Sequence, residues 1–121
     1  IKTKDGRKRV PAVEVLINTL RVRDIILDPP RFKEIGDVIQ SGYMTYGMQS
    51  FDQSIYSLYK EGFITWDAAM QNATSPDDLA LRMKGVSVSG DGDWKSMDKS
   101  KENSELRNLA KSKEDDDFEF E

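Results

Sequence analysis

A chain of 121 residues, 37% hydrophobic and 33% charged, has room for one small domain and is too polar for all of it to pack. It contains neither cysteine nor histidine, which removes disulfides, thiol chemistry, the usual general base and the commonest metal ligand, and leaves a cytosolic setting as the expectation. Residues 1–83 hold 11 basic and 11 acidic side chains and residues 84–121 hold 7 and 11, so the net charge of −4 lies wholly in the C-terminal stretch. No apolar run reaches bilayer-spanning length and none opens the chain, so neither a membrane helix nor a leader is expected.

In chain order, Lys4-Asp5-Gly6-Arg7 is a hairpin turn sequence, because Asp-Gly supplies the positive φ angles of a type I′ turn. Val13, Val15 and Ile17 then occupy alternate positions, as in a strand, while the arm before the turn has only Ile1 to Lys4. A lone hairpin with so short an arm is marginal in water, so the chain reads as if it began inside a sheet. At Asn18 the period changes. Thr19 caps a helix with Val22, Ile25 and Ile26 on its apolar side, and Pro29-Pro30 ends it. A second helix starts near Pro30 or Arg31, turns Phe32, Ile35, Val38 and Ile39 to one face, and has Gly42 as its C′ residue.

The third helix spans about Met48 to Lys60, with Met48, Phe51, Ile55, Leu58 and Tyr59 at helical spacing; core packing is a better reading of this stripe than docking. Thr65 caps a short fourth helix holding Trp66, Ala69 and Met70. Ser75-Pro76-Asp77-Asp78 is the clearest start signal: a capping hydroxyl, proline at the first position and acids near the positive helix end. That fifth helix carries Leu79 and Met83 and stops at Gly85. The expected fold is therefore mostly α. Residues 1–19 form a remnant β-hairpin, 20–85 a helical unit of about five short helices, and 86–121 a disordered acidic tail too poor in apolar side chains to offset the entropy of ordering. The end of that tail, Asp115 to Glu121, reads as a solubilising extension rather than an acidic-aromatic docking motif.

Tests for chemistry are negative in this stretch of sequence. Gly42 and Gly47 have phosphate-loop spacing, but Met48-Gln49 follows where Lys-Ser or Lys-Thr is needed; Gly85 and Gly90 repeat the spacing before Asp91, which repels phosphate. Asp91, Asp93 and Asp98 resemble calcium ligands, yet Lys95 and Ser96 stand where an EF-hand needs an oxygen ligand and a glycine. Glu14, among apolar neighbours, is either a perturbed carboxylate or, as such residues more often are, solvated or paired with an arginine. Leu58 to Ala73 has a helix-turn-helix outline, but no Lys or Arg lies between Thr65 and Asp78, so nucleic acid is not an expected partner. No catalytic, cofactor-binding or metal residue is assigned.

Four segments resemble the C-terminal region of the type IV pilus retraction (twitching motility) ATPases, the PilT/PilU type of the secretion-ATPase superfamily. Asp5-Gly6 with Arg9 to Thr19 resembles their last core hairpin. Val22-Arg23-Asp24-Ile25-Ile26 is similar to a short helix that reads Ala-Ile-Arg-Asn-Leu-Ile-Arg-Glu in these motors, although Arg21, Leu27 and Asp28 depart from it and only Arg23 remains of its basic pair. Gly47-Met48-Gln49-Ser50-Phe51-Asp52-Gln53 resembles their Gly-Met-Gln-Thr-x-Asp-Gln segment. Tyr59 to Thr65, Asn72-Ala73, Asp77-Asp78-Leu79 and Leu81-Arg82-Met83 resemble their closing helices. The likeness covers residues 1–85 and leaves the tail outside it.

The resemblance implies a parent with a PAS-like N-terminal domain and a RecA-like ATPase core, a ring homo-hexamer at the inner face of the bacterial inner membrane. ATP and Mg²⁺ would bind upstream of Ile1. The partners it implies are the remainder of the RecA-like domain, neighbouring subunits, the inner-membrane pilus platform protein and a related retraction ATPase. It makes Arg23, Asp24, Gly47, Met48, Gln49 and Asp52 candidates for coupling ATP-driven movement to pilus disassembly, with a solvated charge pair as the plain reading of Arg23 and Asp24. A stand-alone helical interaction module without ATPase activity is the alternative.

Overall fold

The computed structural model describes residues 1–86 and, further along, Trp94, Met97, Asp98, Glu102, Glu105, Leu106 and Leu109. The chain turns at Asp5-Gly6, but not as the expected type I′ turn, which needs positive φ at both residues: no non-glycine among the described residues has it, and the Gly6 N–H donates to the Thr3 carbonyl at 2.9 Å. Gly6 has φ +67°, and the Asp5 carboxylate accepts from the Thr3 hydroxyl at 2.6 Å and the Arg7 N–H at 3.0 Å. Lys2 and Arg9 form an isolated antiparallel bridge. No strand follows among the described residues, which corrects the expected hairpin arm over Val13–Ile17. A ladder needs a partner, the first arm is four residues long, and Pro11 has no N–H to give. Val15 pairs instead with Gln49, and Val13, Val15, Leu16 and Ile17 are all exposed.

Helix α1, Leu20–Ile26, begins where Thr19 accepts from the Val22 N–H at 3.3 Å and buries Val22 and Ile25. Ile26, expected on the same face, is exposed. The prolines do not simply end it: Pro29–Glu34 is a 3₁₀ helix, and α2, Ile35–Ser41, continues from it. The expected single second helix is thus two, and Phe32 on its 3₁₀ part is exposed. Gly42 closes α2 with φ −85° and leads into one further turn, α3, Tyr43–Tyr46, which sequence periodicity did not indicate. The left-handed glycine is Gly47, φ +71°. Gly42 is small for a packing reason: a Cβ there would lie 2.9 Å from Met48 Sδ and 3.0 Å from the Val38 carbonyl.

Helix α4, Phe51–Lys60, starts three residues later than the apolar spacing suggests, because Ser50 and Gln53 form a capping box. Thr65 caps α5, Trp66–Asn72, through the Ala68 N–H at 3.1 Å. Helix α6, Pro76–Met83, has proline at its start, but Ser75 makes no side-chain cap bond, contrary to expectation. Gly85, φ +79°, ends it, with the Val86 N–H returning to the Leu81 carbonyl at 2.9 Å.

Two apolar clusters hold these pieces. One gathers Val22, Ile25, Val38, Ile39 and Met48 from α1, α2 and the loop before α4. The other gathers Ile55, Tyr56, Ile64, Ala69, Leu79 and Met83 from α4, α5, α6 and the loop before α5, and it includes Trp94 and Met97. The reading of residues 86–121 as a disordered tail is therefore corrected at Trp94 and Met97, which are helical and 5% and 1% exposed, whereas helix at Leu106 and Leu109 agrees with a turn of helix expected over Ser104 to Lys111. Asp91, Asp93, Lys95, Ser96, Gly90 and the Asp115–Glu121 run lie outside the described residues.

Candidate functional junction

The segment Gly47–Gln53 holds four of the six residues singled out from sequence, and each has a separate mechanical task. Gly47 turns the chain out of α3. Met48 fills the first apolar cluster at 1% exposure, as the core reading of that stripe required; Ile55 is likewise buried, whereas Phe51 is exposed. Gln49 grips the N-terminal stretch. Its backbone exchanges two hydrogen bonds with Val15, at 2.8 and 3.0 Å, and its Nε2 donates to the Val13 carbonyl at 2.8 Å.

Ser50 and Gln53 then start α4. The Gln53 N–H donates to Ser50 Oγ at 3.2 Å, and the Ser50 N–H donates to Gln53 Oε1 at 2.9 Å. The Nε2 of the fully buried Gln53 reaches back to the Gln40 carbonyl on α2 at 3.2 Å. Asp52, 9% exposed, turns the other way: its carboxylate accepts the Thr74 N–H at 2.7 Å and the Ser75 N–H at 2.9 Å. It fixes the two residues that lead into α6, Thr74 and the N-cap residue Ser75, and leaves the first-turn N–H groups that the Ser75 hydroxyl was expected to cap without that cap bond. Two further bonds close the N-terminal side, from the Val13 N–H to Ser54 Oγ at 3.0 Å and from the Phe51 N–H to Glu14 Oε2 at 3.3 Å. Glu14 is exposed and serves the first turn of α4 rather than pairing with an arginine.

Arg23 and Asp24 are not part of this junction. Both are exposed on α1, whose buried side is Val22 and Ile25. Beside the start of α1 an open groove of about 640 Å³ runs to α2 and α3, lined by Thr19, Leu20, Arg21, Ser41, Thr45 and Tyr46 among others. Its lining contains a single ionisable cation and no carboxylate. Among the described residues no group of three or more His, Cys, Asp or Glu is placed to hold a metal ion, and no helix is long and apolar enough to cross a membrane. Near the first turn, the Asp5 carboxyl is held below its ordinary value first by the Thr3 hydroxyl and then by the Arg7 N–H.

What this geometry can do is transmit position. Asp52 has both oxygens engaged by backbone donors, and Gln49 and Gln53 bridge elements that share no apolar cluster. Sequence reasoning named Gly47, Met48, Gln49 and Asp52 but missed Ser50, Gln53 and Gln40. The Ser50-x-x-Gln53 spacing was a legible capping signal; Gln40 carried none.

No family model matches the chain. It is 37% identical over 86 residues to the type IV pilus ATPase PilU of Pseudomonas aeruginosa, which is 69% of this chain and 22% of that protein. It is 36% identical over 81 residues to a twitching motility protein of Neisseria gonorrhoeae, 67% of this chain and 21% of that one. The chain thus spans about a fifth of the length of the curated relatives it matches. With two such relatives agreeing along two-thirds of its residues, the protein is related to the pilus ATPases of the PilT/PilU type.

Proposed function

We propose that this chain is the non-catalytic C-terminal part of a hexameric, ATP-driven motor that retracts type IV pili, and that it passes movement of the ATPase domain on to pilus disassembly. In this reading residues 1–19 finish a RecA-like core, and ATP and Mg²⁺ are bound by the parent upstream of Ile1. Neighbouring subunits, a related retraction ATPase and the inner-membrane platform protein are the partners, at the inner face of that membrane.

The observation that carries the reading is where apolar surface is left uncovered. Val13, Val15, Leu16, Ile17, Leu20, Ile26 and Leu27 are all exposed, Leu20 at 79% and Leu27 at 72%. A run of large exposed apolar side chains in one short stretch is the mark of an interface. It favours packing of this stretch against a larger body. Arg23 and Asp24 lie within the same stretch, on the helix that such packing would move.

The test is Arg23→Ala and, separately, Asp24→Ala in the full-length parent, scored by twitching and by the retraction of single pili. Both side chains are exposed, so each change should leave stability within about 0.5 kcal/mol. Slowed retraction with an unaltered melting curve supports the motor reading; undiminished retraction for both variants rejects it.

A further inference from the structure

We propose that the groove between α4 and α6 is a docking site whose occupants are this chain's own Trp94, Met97 and Asp98, and that these docked residues tie the two apolar clusters together. This goes beyond the motor reading and does not depend on it.

Four independent contacts seat these residues. The Trp94 ring meets Tyr56 of α4 edge to face, with centroids 5.2 Å apart. The Arg82 guanidinium of α6 lies over the Trp94 ring, 4.5 Å from its centre. Trp94 Nε1 points to Gln40 Oε1 on α2 at 3.4 Å. The Tyr56 hydroxyl stands 3.0 Å from both carboxylate oxygens of Asp98. Trp94 and Met97 are 5% and 1% exposed, within the cluster that contains Ile55, Tyr56, Leu79 and Met83. A large aromatic with a buried body and a satisfied N–H is the usual anchor of a peptide in a groove, and the spacing Trp94, Met97, Asp98 places apolar, apolar and polar groups on adjoining positions of one helix face.

The position of the anchor gives these residues their role. Its ring belongs to the α4–α6 cluster, whereas its N–H reaches α2, whose buried face belongs to the other cluster. Gln40 is also the residue whose carbonyl receives Gln53 Nε2. The docked residues therefore cover the place where α2, α4 and α6 are joined, and their release would loosen α2 from α4 and α6. The occupant is in cis because Trp94, Met97 and Asp98 follow α6 in the same chain, and at the rim Asp98 accepts from the Tyr56 hydroxyl while the Trp94 ring takes the Arg82 cation.

The sequence holds two tryptophans, so Trp66→Phe in the full chain leaves Trp94 as the reporter. The expected result is a blue-shifted emission that acrylamide quenches several-fold less efficiently than in urea. Met97→Asp should move the emission to that of exposed indole while most far-UV helical signal remains. Native emission equal to the urea-unfolded value overturns the proposal, and this first measurement needs no disruptive variant. A signal that shifts red on 100-fold dilution, with dimer mass in light scattering, assigns the occupant to a second copy and overturns docking in cis.

Discussion

Asp52→Ala is the most informative single substitution in this domain. The change removes two charge-assisted hydrogen bonds, at 2.7 Å to the Thr74 N–H and 2.9 Å to the Ser75 N–H, from a carboxylate that is nearly buried. Hydrogen bonds to a charged group contribute about 1.5–3 kcal/mol each. Thr74 and Ser75 are themselves exposed, so water can take over their N–H groups and the low end of that range applies. Asp52 is also the acidic residue in the first turn of α4, a position that adds about 0.3–1 kcal/mol. The loss is therefore about 3–4 kcal/mol, a large share of the roughly 4–13 kcal/mol that a domain of this size possesses. It should lower the melting temperature by roughly 12–30 °C. Asp52→Asn keeps the shape and one acceptor oxygen and should lose about half as much. Urea denaturation of the full chain followed by circular dichroism reads both, with the slope unchanged. A loss below about 0.5 kcal/mol for the alanine variant would show that the bridge from α4 to the entrance of α6 contributes little, and the mechanical account of the junction would fall with it.

Gly42→Ala should cost about 1–3 kcal/mol, because Met48 can yield but the Val38 carbonyl 3.0 Å from the new Cβ cannot; an unchanged denaturation midpoint would refute that packing. Gly47→Ala, with open space around the added carbon, should cost about 1–2 kcal/mol through its left-handed φ alone, and asparagine there should cost less than alanine. Ser50→Ala should cost about 1 kcal/mol and speed hydrogen exchange of the Gln53 amide selectively. Lowering the pH tests Asp5. Its folded carboxyl lies below the ordinary 3.8, so the stabilisation is complete above that value and disappears as the pH falls through the folded one. Because the group is fully exposed the effect on unfolding is small, and the check is an NMR titration of Asp5, whose midpoint should rise on Thr3→Val.

The helix starts that depend on one neighbouring side chain were legible: Thr19 and Thr65 cap as their sequence positions indicate, and Gly85 stops α6 with positive φ. What failed was anything decided by a distant partner. The alternation of Val13, Val15 and Ile17 is a real strand pattern, but a strand exists only if another backbone runs beside it, and here only Gln49 does. Ser75-Pro76-Asp77-Asp78 marked α6 correctly, yet Ser75 makes no cap bond and its own N–H is held by Asp52, more than 20 residues earlier, so no local rule could name that contact. Gly42 was the expected C′ residue of the second helix, but the extra turn Tyr43–Tyr46 puts the left-handed position at Gly47. In the C-terminal stretch, averaging over many charged residues hid two large apolar side chains three apart, Trp94 and Met97, which was the signal that mattered. As for the candidate site, the block Gly47–Asp52 was found and its chemistry was not, because glutamine, serine and aspartate announce their role only through what they reach.

That role follows from how the two clusters are connected. Apolar contacts are tolerant of direction: a buried leucine or methionine packs nearly as well after a small rotation. Hydrogen bonds are not, since they weaken steeply once the donor angle departs from linear. Gln53 joins α4 to the Gln40 carbonyl of α2, and the N-terminal stretch, whose Val10 and Ala12 pack against the α4–α6 cluster, is also held to the start of α4 by bonds between Gln49 and Val13 and Val15, Ser54 and Val13, and Glu14 and Phe51. In the proposed motor reading, a displacement of that stretch would pass to α4 with its direction preserved, and through Asp52 to the entrance of α6. Two small apolar bodies hinged by purely apolar contact would absorb the same displacement by sliding. Residues 13–15, the segment that Gln49 grips, lie in the stretch whose apolar side chains stay exposed, so in the proposed reading a push delivered to that surface would enter the domain at a segment joined to the start of α4 by several directional bonds.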